Sequence, residues 1–426
     1  MRPTFLALLI LAAASVQAQS GIWTAAPNSP FHSYRFEDAS FVTPLHGWIV
    51  NGSGETYETT DGGQSWTLKS TVFGYHRSTA FVSETHGWVG VLFSDTRLYE
   101  TTDGGTTMND VTGRITPAIT GGVCGLFALS PQRIVGVGEW DGPAYLIETT
   151  DGGTTWASRD MSAVAGSLID VYYHDDLNGV IVGGTQATQP GSRAVVLSTE
   201  DGGVTWTQRA LSSGTGTTSE WAWKISFPSR LVGYVSVENS GGGPDGKVLK
   251  TTDGGLTWTE LVVPGGRSMQ GVGFISETEG WTSGRGTAMA TTDGGATWAP
   301  AVGLDGSVNR FEFFGDSLGY AMGQYIYELV RPTAAQGSAS ETTSLALTAA
   351  PNPSTGPVAV RYATPDGDAT LAVYDVLGRR VATLAEGTHA AGEHTATWEP
   401  RPHAPGVYVL RLTAGTAVRS VRIVRS

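Results

Sequence analysis

The sequence predicts an all-β protein: a seven-bladed β-propeller followed by a small immunoglobulin-like β-sandwich. Three observations carry this. A phrase close to Thr-Thr-Asp-Gly-Gly-x-Thr-Trp, with Met108 in place of the tryptophan in the second copy, occurs six times, around Asp61, Asp103, Asp151, Asp201, Asp253 and Asp293, at spacings of 42, 48, 50, 52 and 40 residues. A period of roughly 40–50 residues made of short β-type segments marks a propeller blade. A second signature precedes each phrase: Phe41, Phe81, Phe227 and Phe274 share one spacing to Gly47-Trp48, Gly87-Trp88, Gly233-Tyr234 and Gly280-Trp281. Tyr173 and Phe313 fit the same spacing, and Phe127 heads a degenerate copy without its glycine, which makes seven starts. Third, the repeat stops after Glu328, and alternating apolar positions of a different kind begin near Leu345.

The elements follow in order. Residues 1–18 read as a signal peptide: Arg2 supplies a positive charge, Phe5 to Ala14 is apolar, and Val16-Gln17-Ala18 offers a small-residue cleavage site. Ten apolar residues are too few to span a bilayer. Residues 19–330 form the propeller. Gly21-Ile22-Trp23-Thr24 resembles the residues that follow an Asp turn, so this segment is expected to be the outermost strand of the last blade. That pairing leaves no open sheet edge in the ring. Each unit then reads as four strands. In the second unit they end at Phe81, run through Trp88-Val89-Gly90-Val91-Leu92, run through Leu98-Tyr99-Glu100-Thr101, and restart after the Asp-Gly-Gly turn. Glycine supplies positive φ in such turns, and aspartate bonds its own backbone a few residues on.

Residues 331–344 read as a flexible linker rich in Ala, Ser, Thr and Gly. In residues 345–426, Leu371 to Tyr374 and Val407 to Leu412 alternate as half-buried strands, and Asp375 to Gly378 reads as a hairpin turn.

The repeated phrase resembles the Asp-box, or BNR repeat, of sialidases, sortilin-type receptors, xyloglucan-cleaving glycosidases and the photosystem II assembly/stability factor family. The last also pairs Gly-Trp with Thr-Thr-Asp-Gly-Gly-x-Thr-Trp. The resemblance covers most of residues 41–330 and implies that the six aspartates are outer structural turns. Trp66, Trp156, Trp206, Trp258 and Trp298 would be packing anchors. A calcium site is disfavoured, because one carboxylate per loop is too few ligands.

The last 75 or so residues resemble the type A C-terminal sorting domain of the type IX secretion system. Pro351-Asn352-Pro353, Tyr374-Asp375, Gly378-Arg379 and Gly406 with Tyr408 carry the resemblance. It implies an export address, with the type IX machinery as partner of residues 345–426 and an extracellular or cell-surface destination.

Composition excludes several functions. The chain holds 26 basic and 39 acidic residues, a net charge of −13. Such a body repels nucleic acid and anionic membranes. No second apolar stretch approaches membrane-spanning length. Cys124 is the only cysteine, so no intramolecular disulfide forms, and its apolar surroundings read as core. A sialidase Arg-Ile-Pro element, a P-loop, His-Glu-x-x-His and Gly-x-Ser-x-Gly are all missing. His46 and His86 precede Gly-Trp in equivalent turns and read as exposed turn residues. No cofactor or metal is expected.

One constellation is a candidate site. The segments before each inner-strand aromatic should line the central mouth. They supply Arg35, Tyr75, Arg77, Trp221, Trp223, Lys224 and Arg310, which could grip an extracellular peptide or glycan. The leading reading is a non-catalytic binding module. The alternative is a glycoside hydrolase using loop carboxylates such as Asp38, Asp170, Asp175 or Asp176, although nothing pairs them for acid/base work. A third reading is an assembly factor for a membrane complex.

Overall fold

A computed structural model describes residues 21–331 and 345–425, except Pro27, 188–190, 215–218, 241–244, 316–317, Pro353, 376–378, 400–405 and 415–416. The expected signal peptide and all of the expected linker but Arg331, together with Pro353 and Gly378 of the sorting motif, lie outside the described residues.

Among the described residues, 22–330 form seven sheets, six of four strands and one of five. Their innermost strands are Phe36–Phe41, Tyr75–Phe81, Gly125–Ala128, Ser167–Tyr173, Glu220–Ser226, Gly271–Phe274 and Arg310–Phe314. Each packs against the next in chain order, and the last returns to the first. The seventh sheet is completed by the N-terminal strand Ile22–Ala25, antiparallel to Ile326–Val330, with Trp23 opposite Leu329. Both ends of the ring therefore share one sheet, which leaves no edge to aggregate.

The sequence signatures have physical causes. The signature aromatic pairs across strands with the signature glycine, as in Phe41 opposite Gly47, and its ring covers that glycine. A Cβ would lie 2.2 Å from the Phe41 ring at Gly47 and 2.7 Å from the Tyr173 ring at Gly179. Only glycine fits there. The aromatic after the glycine then meets the next sheet's Phe face to face. Trp48 stacks on Phe81 at 3.8 Å, Tyr234 on Phe274 at 3.4 Å, Trp281 on Phe313 at 5.8 Å and Tyr320 on Phe41 at 5.4 Å. The signature is thus inter-sheet glue, and Trp48, Trp88 and Trp281 are fully buried. His46 and His86 differ from expectation. Each ring lies over the following tryptophan, at 4.5 and 4.3 Å, and bonds a glutamate, Glu58 or Glu100, so both are half-buried.

The six Asp turns share one geometry. The Asp61 carboxylate accepts from the Thr59 hydroxyl at 2.9 Å, the Ser65 amide at 2.9 Å and the Ser65 hydroxyl at 2.6 Å. Asp103, Asp151, Asp201, Asp253 and Asp293 repeat this set. Burial pushes the Asp61 carboxyl up, but the bonds from Ser65 outweigh it and hold the group ionised. The paired glycines sit at φ of 69–95°, which only glycine adopts without strain. Trp66, Trp206, Trp258 and Trp298 are half-buried and set their edges against Phe41, Tyr173, Phe227 and Phe274. Trp156 is buried against Trp88.

Residues 346–425 form a three-stranded and a four-stranded sheet around one core. Val358, Val360 and Trp398 from the first meet Leu371, Val373, Leu410 and Ile423 from the second. Tyr374 lies in the strand Gly367–Asp375, and Tyr408 packs against Trp398 at 4.9 Å. The Asp375 carboxylate accepts from the Arg379 amide at 3.0 Å and from its Nε at 2.7 Å. The Asn352 side chain accepts from the Val424 amide at 2.7 Å, while Pro351 is exposed and Gly406 opens the strand Gly406–Ala414 at φ 152°.

Candidate functional site

The inner strands surround a channel with two charged layers. Four of the seven strands carry a bulge, between Phe36 and Asp38, His76 and Ser78, Leu168 and Asp170, and Ala222 and Ile225. A bulge leaves an extra residue outside the ladder and re-aims side chains. Here it lets neighbours such as Glu37 and Asp38, or Trp223 and Lys224, both meet side chains from other sheets.

The deeper layer is built on Glu37. Its carboxylate accepts from Arg35 at 2.7 Å, Tyr75 at 2.5 Å and Asn309 at 2.8 Å, and Arg77 lies at 3.6 Å. Asn309 accepts in turn from the Trp223 indole at 2.9 Å, and the Arg77 guanidinium sits 5.2 Å above the Trp223 ring. Burial would push Glu37 up, but Arg35 and Arg77 prevail and keep it ionised.

The second layer holds Asp38, Asp170, Lys224 and Arg310. Arg310 donates to Asp38 at 2.5 Å and to Asp170 at 3.0 Å. Lys224 is fully buried, with its Nζ 3.7 Å and 3.8 Å from the same two carboxylates. The remaining acceptor capacity of the aspartates staples neighbouring sheets. Asp38 takes the Thr79 amide and Asp170 the Ile225 amide, each at 3.0 Å. Burial, and then the Arg310 charge, press the Lys224 ammonium down to about 8. For Asp38 the burial penalty is overcome by Arg310 and Lys224, and its pKa falls.

Beyond this layer the channel opens into a cavity of about 640 Å³. Asp38, Asp170, Arg310 and Glu312 supply its charged lining; Phe41, Phe127, Tyr172, Phe227 and Phe313 are half-buried rings in its wall. Glu312 lies two residues beyond Arg310 on the same strand, and burial pushes its carboxyl up to about 7 against the pull of Arg310. Asp38 and Asp170 add to that rise. Such a group sits near its midpoint at neutral pH, as binding and catalytic groups often do.

The structure distributes the seven expected mouth residues unequally. Only Arg310 lines the cavity. Arg77, Trp223 and Lys224 are buried in the layers beneath it. Arg35 and Tyr75 hold Glu37, and Arg35 also borders a smaller opposite recess of about 430 Å³ with Gln270, Arg285 and Gln324. Trp221 is buried in one cluster with Ile169, Trp223 and Trp140. Asp38 and Asp170, expected on loops, are strand residues committed to Arg310 and to backbone amides. Asp175 closes the next turn and pairs with Arg230 at 2.6 Å, while Asp176 is exposed. Sequence reasoning missed Glu312. Aligning the inner strands would have found it: in the column just before the signature aromatic it is the single charge among Ser40, Ala80, Leu126, Tyr172, Ser226 and Gly273.

Cys124 is buried, and burial pushes its thiol up to about 12, which suits a packing residue. No group of three or more His, Cys, Asp or Glu among the described residues could hold a metal ion. No helix among them is long and apolar enough to cross a membrane.

Comparison with known proteins completes the picture. Residues 348–425 match the secretion system C-terminal sorting domain. The chain therefore carries an export address that indicates type IX secretion to the cell surface or extracellular space. No curated protein matches by sequence. Among solved structures, YCF48 bound to D1 peptide is 21% identical with a TM-score of 0.56, over 74% of this chain and 98% of that one. YCF48 from Cyanidioschyzon merolae is 20% identical at 0.56, over 72% and 99%. The GH74 xyloglucanase from Xanthomonas campestris is 14% identical at 0.51, over 95% and 68%. At these identities the likeness establishes a β-propeller and nothing finer.

Proposed function

We propose that this chain is an exported, non-catalytic binding module whose ligand enters the central cavity. One observation carries the reading. Of the aspartates nearest the cavity, Asp38 gives one oxygen to Arg310 and Asp170 gives both, and each bonds a neighbouring sheet's backbone as well. That leaves Glu312 without a second free carboxylate, whereas glycoside hydrolysis needs two. In this reading Arg310 and Glu312 meet the ligand. Arg35, Tyr75, Arg77, Trp223 and Lys224 hold the channel beneath, and Trp221 packs its wall. YCF48, which shares the fold, was solved with D1 peptide bound, and this motivates a peptide as the ligand class to test.

The hydrolase reading retains one supporting observation, the raised Glu312 carboxyl in a concave site. Purified secreted protein should be exposed to a random peptide library, a glycan array and a panel of chromogenic glycosides. Retention of peptides without turnover supports the proposal. Glycoside turnover abolished by Glu312→Gln would replace it with the hydrolase.

A further inference from the structure

The charges at the cavity are unbalanced. Its lining holds three carboxylates, on Asp38, Asp170 and Glu312, against one guanidinium, on Arg310. Both aspartates are bonded to Arg310, so that cation is already engaged. Lys224 adds a positive charge behind them but is fully buried and lines no part of the cavity. The charged groups that act most strongly on Glu312 are Arg310 on its own strand and Asp38, Asp170 and Lys224 across the channel. From the other inner strands Ser40, Ala80, Leu126, Tyr172 and Ser226 line the cavity at this level, none of them charged, and burial raises the Tyr172 phenol so that it stays neutral. Glu312 is left as the lining carboxylate not spent on an ion pair, beside half-buried Phe127, Tyr172, Phe227 and Phe313, whose π faces also favour cations.

We propose that the cavity binds one alkylammonium or guanidinium group, the side chain of a lysine or arginine in a peptide partner, with Glu312 as its counter-ion. This rests on the cavity being the ligand site. A ligand cation beside Glu312 supplies the missing positive charge, and its aliphatic stem lies along the aromatic wall. An acidic or phosphorylated side chain would meet three carboxylates and be rejected. Binding strengthens as Glu312 ionises, so affinity rises from pH 6 to pH 8.

The test uses the full secreted chain with Nα-acetyl-lysine amide, Nα-acetyl-norleucine amide and Nα-acetyl-glutamate amide as probes, followed by NMR. The lysine probe should shift resonances of cavity residues such as Ala80, Leu126 and Ala128, with a Kd at least tenfold below that of the norleucine probe. Glu312→Gln should erase that difference and its pH dependence. In the unmodified protein, the Glu312 carboxyl should titrate at lower pH when the lysine probe is bound, a readout that does not depend on the variant folding. Equal binding of lysine and norleucine in the cavity would overturn the cation inference and leave the cavity as the site. Preference for glutamate, or lysine shifts confined to another surface, would also overturn it. Peptides retained from the library by other cavity contacts would keep the proposed function standing in each case.

Discussion

Ring closure can be broken at a single residue. Trp23 is 1% exposed in the N-terminal strand and inserts into the seventh sheet. Its ring meets Trp281 edge-on at 5.2 Å, Phe311 at 5.6 Å and Phe313 at 6.2 Å. Trp23→Ala removes a buried aromatic, a change that costs about 3–5 kcal/mol where the site cannot collapse. The flanking rings belong to two different sheets, so collapse is restricted and the upper half of that range applies. Its indole N–H has no acceptor among the described residues, so no hydrogen bond is lost with it. Trp23→Phe keeps most of the apolar contact and should cost about half as much. Urea unfolding followed by circular dichroism measures the loss. Hydrogen exchange should localise it, with amides of Ile326–Val330 exchanging faster because their strand partner is weakened. A loss under about 1 kcal/mol with unchanged exchange in that strand would refute closure by the N-terminal segment.

Other outcomes follow from the same geometry. Asp61→Ala removes three hydrogen-bond acceptor contacts from one exposed turn and should cost about 1–2 kcal/mol by urea unfolding, with ligand retention unchanged. Glu312 has a folded pKa above its ordinary value, so the protonated form contributes stability below about pH 4.5 that is lost as pH rises through about 7. Wild type minus Glu312→Gln should therefore fall in unfolding free energy between pH 5 and pH 8; a flat difference contradicts the burial argument. His76 runs the other way. Burial holds it neutral, with a pKa near 4, so its contribution is present above about pH 6.5 and lost on acidification. His76→Phe should flatten the acid side of the stability profile, measured by thermal melts from pH 4 to 7. Gly47→Ala should destabilise strongly, because its Cβ meets the Phe41 ring at 2.2 Å, whereas Gly113→Ala, with nothing within 4 Å, should be near neutral.

Much of this fold was legible because its signatures are local and repeated. Six copies of one turn and seven aromatic starts set the period, and the N-terminal strand was recognisable by its likeness to a segment after an Asp turn. The site was less legible for two reasons. Bulges at Glu37, Arg77 and Ile169 shift which residues face the channel, and period-two reasoning cannot see a bulge. Charge pairing also depends on which strands stand across the ring: Arg310 meets Asp38 and Asp170 from positions 272 and 140 residues away. Arg77 and Lys224 therefore looked like surface grips but are buried scaffold, while Glu312, inconspicuous in Phe311-Glu312-Phe313, faces the cavity.

The claim that binding happens inside the ring is tested most directly by filling the cavity. Ala128 ends an inner strand at the cavity wall and is half-buried. Ala128→Trp places an indole in the opening without touching the ion pairs below. The account predicts that peptides retained by the wild type are lost by this variant while its urea midpoint stays within error of wild type. Undiminished retention by a folded Ala128→Trp protein would put the ligand elsewhere and contradict the account.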